Sequence, residues 1–352
     1  MRPDFWSGRI VRFASLRGLD LTLTRTLALF AALALPLSAC SEVPVLDGAS
    51  AKVEAAKARN DGPALWRVRD DDSTLYLYGT VHLLPDGLDW QRDDLLDVFG
   101  QAGTVFFEAD SEGVAGAQAQ ALVTRRGLRT DGLRLSDQLD SYQAKLLEAV
   151  SHNGGVPLAQ LDSMQPWLAT ELLTLAAAES AGLSADMSPD AALRSRARRQ
   201  GKNVAFLERA EDQILQVADL PVDVQLSVLT DTMERFDDTP ALLERTARDW
   251  AAGDVDALER DLMSAMADAP PAYLDAVLTR RNADWAEQLS AWMDGSGTAV
   301  AVVGTLHLLG ENSLLDALEE RGLAPTRYLA FMGEDVIKPA NVRLPPVPGD
   351  GE

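Results

Sequence analysis

Two stretches of this 352-residue chain repeat one another: Gly79-Thr80-Val81-His82-Leu83-Leu84 and Gly304-Thr305-Leu306-His307-Leu308-Leu309 agree at five of six positions. The chain holds three histidines, and the repeat puts two of them in the same slot. Each copy directly follows a β-prone run, Leu75-Tyr76-Leu77-Tyr78 before the first and Ala299-Val300-Ala301-Val302-Val303 before the second. In parallel α/β sheets, ligands bind beyond the carboxyl ends of the strands. Glycine at such an end permits a sharp turn and a close approach of ligand to backbone. A histidine three residues on can then point across the sheet edge. Two imidazoles converging there start either a metal site or an acid–base pair. A joint site requires the two side chains to share a cleft, no more than roughly 12 Å apart. The third histidine, His152, stands beside Gly154-Gly155 at a predicted helix end and reads as a capping or surface residue.

Carboxylates occupy equivalent places. Glu108 closes the run Thr104-Val105-Phe106-Phe107, whose strand is expected to neighbour that of His82, and Asp110 follows two residues later. Glu208 directly follows Leu207 at the end of another apolar run, Asn203-Val204-Ala205-Phe206-Leu207. An acid at a strand end also serves as a helix cap or solvated turn residue. For Glu208 both readings stand.

The elements that must position these residues are legible in outline. The run 75–78, a helix over 91–99 and the run 104–107 form a strand–helix–strand unit, whose strands normally lie parallel and adjacent. Residues 203–207 follow an arginine-rich helix, and 299–303 is the most strand-like segment of all. A helix over 312–321 and a strand near 327–331 come after it. Two-sided apolar strands alternating with helices predict a buried, largely parallel sheet. Between its early and late parts the pattern is helical: a helix capped by Ser136 and running to Val150, then 158–181, 211–233, 240–252 and 271–292. The expected fold is α/β (α+β). A largely parallel central sheet carries a helical insertion over about 130–295, within one domain spanning 63–335.

The ends of the chain read differently. Arg25 precedes an apolar run from Leu27 to Leu37, too short to span a bilayer as a helix. Small residues follow it, which is the layout of a secretory signal. Leu37-Ser38-Ala39-Cys40 resembles the bacterial lipobox, in which the cysteine thiol accepts diacylglycerol and becomes the mature N-terminus. Cys40 is the one cysteine, so no intramolecular disulfide is possible. Residues 1–40 are thus expected to be a lipoprotein signal, and 41–62 a small, alanine-rich tether. Residues 336–352, rich in proline, are expected to form a disordered tail. Ser41 after the cysteine favours the outer membrane, with the protein facing the periplasm. With 54 acidic against 32 basic residues the net charge is −22. Such a chain repels phosphate backbones, which excludes nucleic acid as a partner.

Together these residues resemble the TraB/GumN family, to which PrgY and the animal Tiki proteases are related. The family pattern has two Gly-x-x-His motifs, an acid after an aromatic strand, and an Arg-Asn pair on a late helix. Here those are Gly79/His82, Gly304/His307, Phe107-Glu108 and Arg281-Asn282. Softer matches are Gln165-Pro166-Trp167, Leu207-Glu208 with Gln213, and Trp250 with Gly253-Asp254. Where bacterial relatives often carry Gly-x-Asp, this chain reads Ser188-Pro189-Asp190, with Asp190 at the acid's position.

The resemblance implies a compact core like that of erythromycin-esterase-type proteins and, from the Tiki branch, a metal-dependent peptidase. In that reading His82, His307 and Glu108 hold a divalent ion (Mn, Co or Zn) and leave a position open for water. Arg281 stabilises an oxyanion, Asn282 orients it or the substrate, and Glu108 and Glu208 count among the catalytic residues. Gly79, Thr80, Gly304 and Thr305 supply the motif backbone. The expected partners are a peptide or protein substrate in the cell envelope and the membrane itself, through the lipid on Cys40. Two other readings remain: a metal-free hydrolase with a histidine general base, and a non-catalytic protein that binds or sequesters a peptide or polysaccharide.

Overall fold

A computed structural model describes residues 62–185 and 188–328. The signal, Cys40, the residues of the tether before Gly62 and the tail lie outside the described residues. The strands are β1 (Leu65–Arg69), β2 (Ser73–Thr80), β3 (Leu84–Pro85), β4 (Thr104–Ala109), β5 (Leu183–Ser184), β6 (Asn203–Glu208), β7 (Gly297–Gly304) and β8 (Thr326–Arg327). Six of them form one sheet in the order β6-β4-β7-β2-β1-β8, and β3 pairs with β5 apart from it. The pairs β6–β4, β4–β7 and β7–β2 are parallel, whereas β1 is antiparallel to both of its neighbours. The fold is therefore mixed α/β, with a mostly parallel sheet.

Helices follow as α1 (Asp93–Gln101), α2 (Gly113–Gly127), α3 (Ser141–Asn153), α4 (Leu158–Asp162), α5 (Pro166–Ser180) and α6 (Pro189–Arg199). After β6 come α7 (Ala210–Ala218), α8 (Val222–Glu234), α9 (Thr239–Ala252), α10 (Val255–Met266), α11 (Pro271–Leu274) and α12 (Arg280–Met293); α13 (Leu314–Glu319) follows β7. Among the described residues, no helix is long and apolar enough to cross a membrane.

The sheet is buried on both sides, and strand alternation sorts its side chains into two cores. Tyr76, Tyr78, Val105, Phe107, Val300 and Val302 face one cluster, built with α1, α5 and the later helices. Leu75, Leu77, Phe106, Ala299, Ala301 and Val303 face the other, against Trp285, Leu289 and Met293 of α12 and Leu314, Leu315 and Leu318 of α13. Ala299 to Val303 have no exposed surface, so β7 is fit for the centre of the sheet.

That centrality overturns one expectation. The strands ending at His82 and Glu108 are parallel but not adjacent, because β7 lies between them and pairs with both. A strand of small aliphatic residues, covered on both faces, displaces the sequence-neighbour pairing. Several helix bounds also differ. Ser136 sits in a 3₁₀ turn, and Asp140 caps α3 with Gln143 completing a capping box. The stretches 158–181 and 211–233 each break into two helices just before Pro166 and at Pro221. Proline has no N–H with which to continue a helix. The helix at 271–292 is interrupted by a π-turn, Asp275–Thr279.

Candidate active site

Four parallel strands end along one edge of the sheet, and four predicted residues sit there. In sheet order they are Glu208 on β6, Glu108 on β4, His307 after β7 and His82 after β2. The two motif copies are side by side, with Gly79 paired to Val303 and Thr80 to Gly304. After Gly304 the chain enters a 3₁₀ turn, Thr305–Leu308, which turns His307 inward until it is 2% exposed. Gly304 is the common floor. A Cβ placed there would lie 3.2 Å from Glu108 Oε1, 3.5 Å from His82 Nε2 and 3.6 Å from His307 Cδ2. The histidines are separated by no more than about twice that distance, well inside the limit for a joint site.

Each imidazole is held from behind. Asn282 donates from Nδ2 to the Asn312 carbonyl at 2.8 Å, which leaves its Oδ1 facing His307 Nδ1 at 2.7 Å. Asn282 Oδ1 can only accept, so His307 donates from Nδ1 and its Nε2 carries the lone pair. Asn312 has φ of 59°, a left-handed conformation that asparagine tolerates and that aims its carbonyl. His82 Nδ1 lies 3.4 Å from Asp190 Oδ2, and His82 Nε2 is buried with no hydrogen-bond partner among the described residues.

Arg281 joins the two acids. Its Nη2 donates to Glu108 Oε2 at 2.8 Å and to Glu208 Oε1 at 2.6 Å, while Nε donates to Glu208 Oε1 at 3.1 Å. Gln213 Nε2 bridges the same carboxylates at 3.2 and 2.8 Å, and the Gly304 N–H donates to Glu108 Oε1 at 2.6 Å. The guanidinium lies over Trp285, 4.6 Å from the ring, and Trp285 packs 4.4 Å from His307. The π-turn precedes Arg281 by one residue, and Arg281 Nη1 donates back to the Val277 carbonyl within it. Such turns are common at functional sites because they re-aim side chains.

The electrostatics push the two histidines apart. Burial lowers the pKa of His307 well below its usual value, helped by the charges of Arg281 and His82. For His82, burial also disfavours the charged form, but the Asp190 carboxylate, with Glu108 behind it, outweighs this and raises the pKa. Burial would raise Asp190, yet His82, Thr80 and Ser188 hold it below its usual value. Glu208 is raised, because burial exceeds what Arg281 returns. Arg281 is raised against its own burial by both glutamates.

A cleft of about 940 Å³ opens on the Glu208–Arg281 side. Phe206, Leu207, Ala210 and Trp285 line it together with Asp212, Asp284 and Glu287; the histidines are not among its lining residues. Among the described residues no group of three or more His, Cys, Asp or Glu is already arranged as a ligand set. Both Glu108 oxygens are occupied by N–H donors. The donor chemistry nevertheless fits a divalent ion. Two imidazoles have their Nδ1 sides held, one Nε2 is buried and unpartnered, and a carboxylate oxygen shares their space.

Of the residues singled out from sequence, His82, His307, Glu108, Glu208, Arg281 and Asn282 come together. Gly79 does not face this space: its carbonyl accepts from Trp250 Nε1 at 2.8 Å, and it packs on Thr305, whose hydroxyl has no partner. His152 is exposed at the end of α3. Sequence reading noted Asp190 without seeing its contact to His82, and it missed Ser188, Trp285 and the part played by the Thr80 hydroxyl. An acid in a helix's first turn ordinarily needs no explanation beyond the helix dipole.

The model of the TraB/PrgY/gumN family matches residues 64–327. The uncharacterized protein YbaP of Escherichia coli (strain K12) is 28% identical over 180 residues, and so is that of Shigella flexneri. Each alignment spans 51% of this chain and 66% of the relative, just under two thirds of its length. No solved structure matches the chain.

Proposed function

This chain belongs to the TraB/PrgY/gumN family, and on that premise we propose that it is a metal-dependent hydrolase of peptide bonds, anchored in the bacterial envelope through Cys40. The observation that carries the reading is the meeting of His82, His307 and Glu108 around Gly304, with each imidazole held at Nδ1. His82, His307 and Glu108 would hold a divalent cation (Mn, Co or Zn), which when bound would supply Lewis acidity and lower the pKa of water.

The chain's own residues have separable tasks. His307 stays neutral because burial and Arg281 oppose its protonation, and Asn282 keeps its proton on Nδ1. Glu108, held by Arg281 and the Gly304 N–H, turns Oε1 towards the space above Gly304 that it shares with His82 Nε2. Arg281 is fixed by Glu108 and Glu208 and lines the cleft; of its five N–H groups, one on Nη1 is left for a developing oxyanion. Glu208 and Gln213 keep that guanidinium aimed.

One observation favours a metal-free version of the same hydrolase. His82 is pushed towards the charged form and His307 away from it, and pairs driven apart in this way divide acid from base. The anchor rests on Leu37-Ser38-Ala39-Cys40, with the protein facing the periplasm from the outer membrane. Cys40→Ala is expected to release the protein from membranes; a membrane-bound variant removes the anchor.

Metal content and cleavage of a broad peptide library, measured together, test the function. His82→Ala and His307→Ala, confirmed to be folded, should lose both, since each removes one of about three protein ligands. Arg281→Ala should retain metal and lose roughly 10²–10³ in rate. Wild-type protein that is active without metal and indifferent to chelator replaces the metal reading with the histidine pair. Tight peptide binding with no cleavage across the library replaces both with a sequestering protein.

A further inference from the structure

The two histidines occupy the same slot of the same motif, yet their supports differ. Behind His307 stands a neutral amide, Asn282. Behind His82 stands a carboxylate, Asp190, which is 9% exposed. Asp190 lies in the first turn of α6, away from the sheet in sequence; two contacts tie it to the sheet's edge and a third to the start of its own helix. Its Oδ1 accepts from the Thr80 hydroxyl at 3.0 Å, its Oδ2 accepts from the Ser188 hydroxyl at 3.1 Å, and the same Oδ2 lies 3.4 Å from His82 Nδ1. Thr80 belongs to β2, the strand that carries His82, and its hydroxyl also lies 3.2 Å from the Val303 carbonyl of β7. The matching residue of the second copy, Thr305, has no such partner. The first copy of the motif thus has a carboxylate behind its histidine where the second has an amide.

We infer that Asp190 is a positioning residue for His82, fixing the neutral imidazole as the Nδ1–H form so that the Nε2 lone pair faces the space above Gly304. The physical reason is local. A bare Nδ1 would set its lone pair 3.4 Å from a buried carboxylate oxygen, whereas an Nδ1–H places a proton on that side. With the proton on Nδ1, Nε2 is an acceptor, and it is the atom that is buried without a partner. A side chain nine-tenths buried, with one nitrogen held and the other unpartnered, is built to receive something at that nitrogen. A carboxylate behind the ring also makes the Nε2 lone pair more basic than an amide does, so the repeated motif yields two unequal nitrogens. Asp190 acts through His82 and touches no substrate.

The inference rests on reading His82 as a working residue of the proposed hydrolase site, but its test needs no turnover. The full chain is labelled with ¹⁵N at histidine and examined at alkaline pH, with all three imidazoles neutral and no metal or substrate added. Three histidines keep the spectrum assignable, with exposed His152 as the internal reference and His82→Gln identifying the His82 signals. Wild-type His82 should show a protonated Nδ1 and a bare Nε2. Asp190→Ala, which removes the acceptor, should shift the His82 population from Nδ1–H towards Nε2–H and leave His307 unmoved; Asp190→Asn, which keeps an amide oxygen, should shift it less. Asn282→Ala should do the reverse, moving His307 alone. A wild-type His82 that is mainly Nε2–H, or one whose tautomer ignores both Asp190 variants, overturns the inference. A purely structural Asp190 would not move the tautomer. A chain that cleaves no peptide ends the hydrolase reading and leaves the tautomer result to stand or fall alone.

Discussion

The two glycines of the repeated motif meet different neighbours, and this separates packing from chemistry at the scale of single residues. A Cβ at Gly79 would come within 2.8 Å of Thr305 Oγ1 and 3.2 Å of Thr305 Cα, part of the backbone of the other motif copy. Gly79→Ala therefore overpacks the seam between β2 and the turn after β7, and should cost about 1–3 kcal/mol of stability. Gly304 has φ −57° and ψ 136°, which any residue adopts without strain. Its Cβ would instead project among Glu108 Oε1, His82 Nε2 and His307 Cδ2. Gly304→Ala should melt within a few degrees of wild type yet lose turnover and metal by at least an order of magnitude (~10-fold), because a methyl fills the space the donors share. Thermal melts run beside activity and metal analysis separate the two. A fully active Gly304→Ala would mean that the chemistry lies elsewhere. The motif's glycines were conspicuous in the sequence, but which one packs and which one floors the site depends on distances across strands.

At the scale of elements, α5 makes its own test. Apolar residues surround it on all sides, as befits a helix buried in the body of a protein. Among them is Glu171, 7% exposed, with an Oε2 that has no partner, and burial alone pushes its pKa up to about 8. Folded Glu171 therefore keeps its proton at neutral pH, while in the unfolded chain it loses it near the ordinary glutamate value of 4.5. Between those values the folded state binds more protons, so stability falls as pH rises, by roughly 1.4 kcal/mol per pH unit from this group. Glu171→Gln should remove that slope. The measurement is urea unfolding of both proteins at several pH values from 5 to 8, where other groups cancel in the difference; parallel profiles would show that Glu171 ionises freely. The elements themselves were unevenly legible. Strands with two apolar faces and the ends of proline-broken helices follow from local pattern. The insertion of β7 between β2 and β4 does not, because neighbour choice in a sheet is decided by burial of both faces at once. β1 went unassigned although Trp66 and Val68 alternate with Arg67 and Arg69 at the period of a half-buried strand. Arg281 and Asn282 were visible only through the family resemblance, since two polar residues on a helix announce nothing until a π-turn aims them inward.

The molecule as a whole carries a net charge of −22, and the cleft beside the site repeats that sign. Asp212, Asp284 and Glu287 line it, and its two arginines are already engaged, Arg209 with Glu211 and Arg281 with the buried glutamates. A field of one sign, focused by a cleft, raises the association rate of oppositely charged substrates by about 10–10³. If the chain cleaves peptides, those with lysine or arginine flanking the scissile bond should show a higher kcat/KM at low salt than the same peptides carrying glutamate. The advantage should shrink as ionic strength rises, because the screening length contracts from about 30 Å at 0.01 M to about 8 Å at 0.15 M. It should not vanish, since acids lining the cleft lie closer to bound substrate than that length. Steering acts on encounter, so the salt dependence belongs in kcat/KM and not in kcat. Paired basic and acidic peptides, assayed over that range of salt, decide the matter. Equal kcat/KM at low salt would show that the field does not select, and a salt effect confined to kcat would move the electrostatics from the cleft to the chemical step.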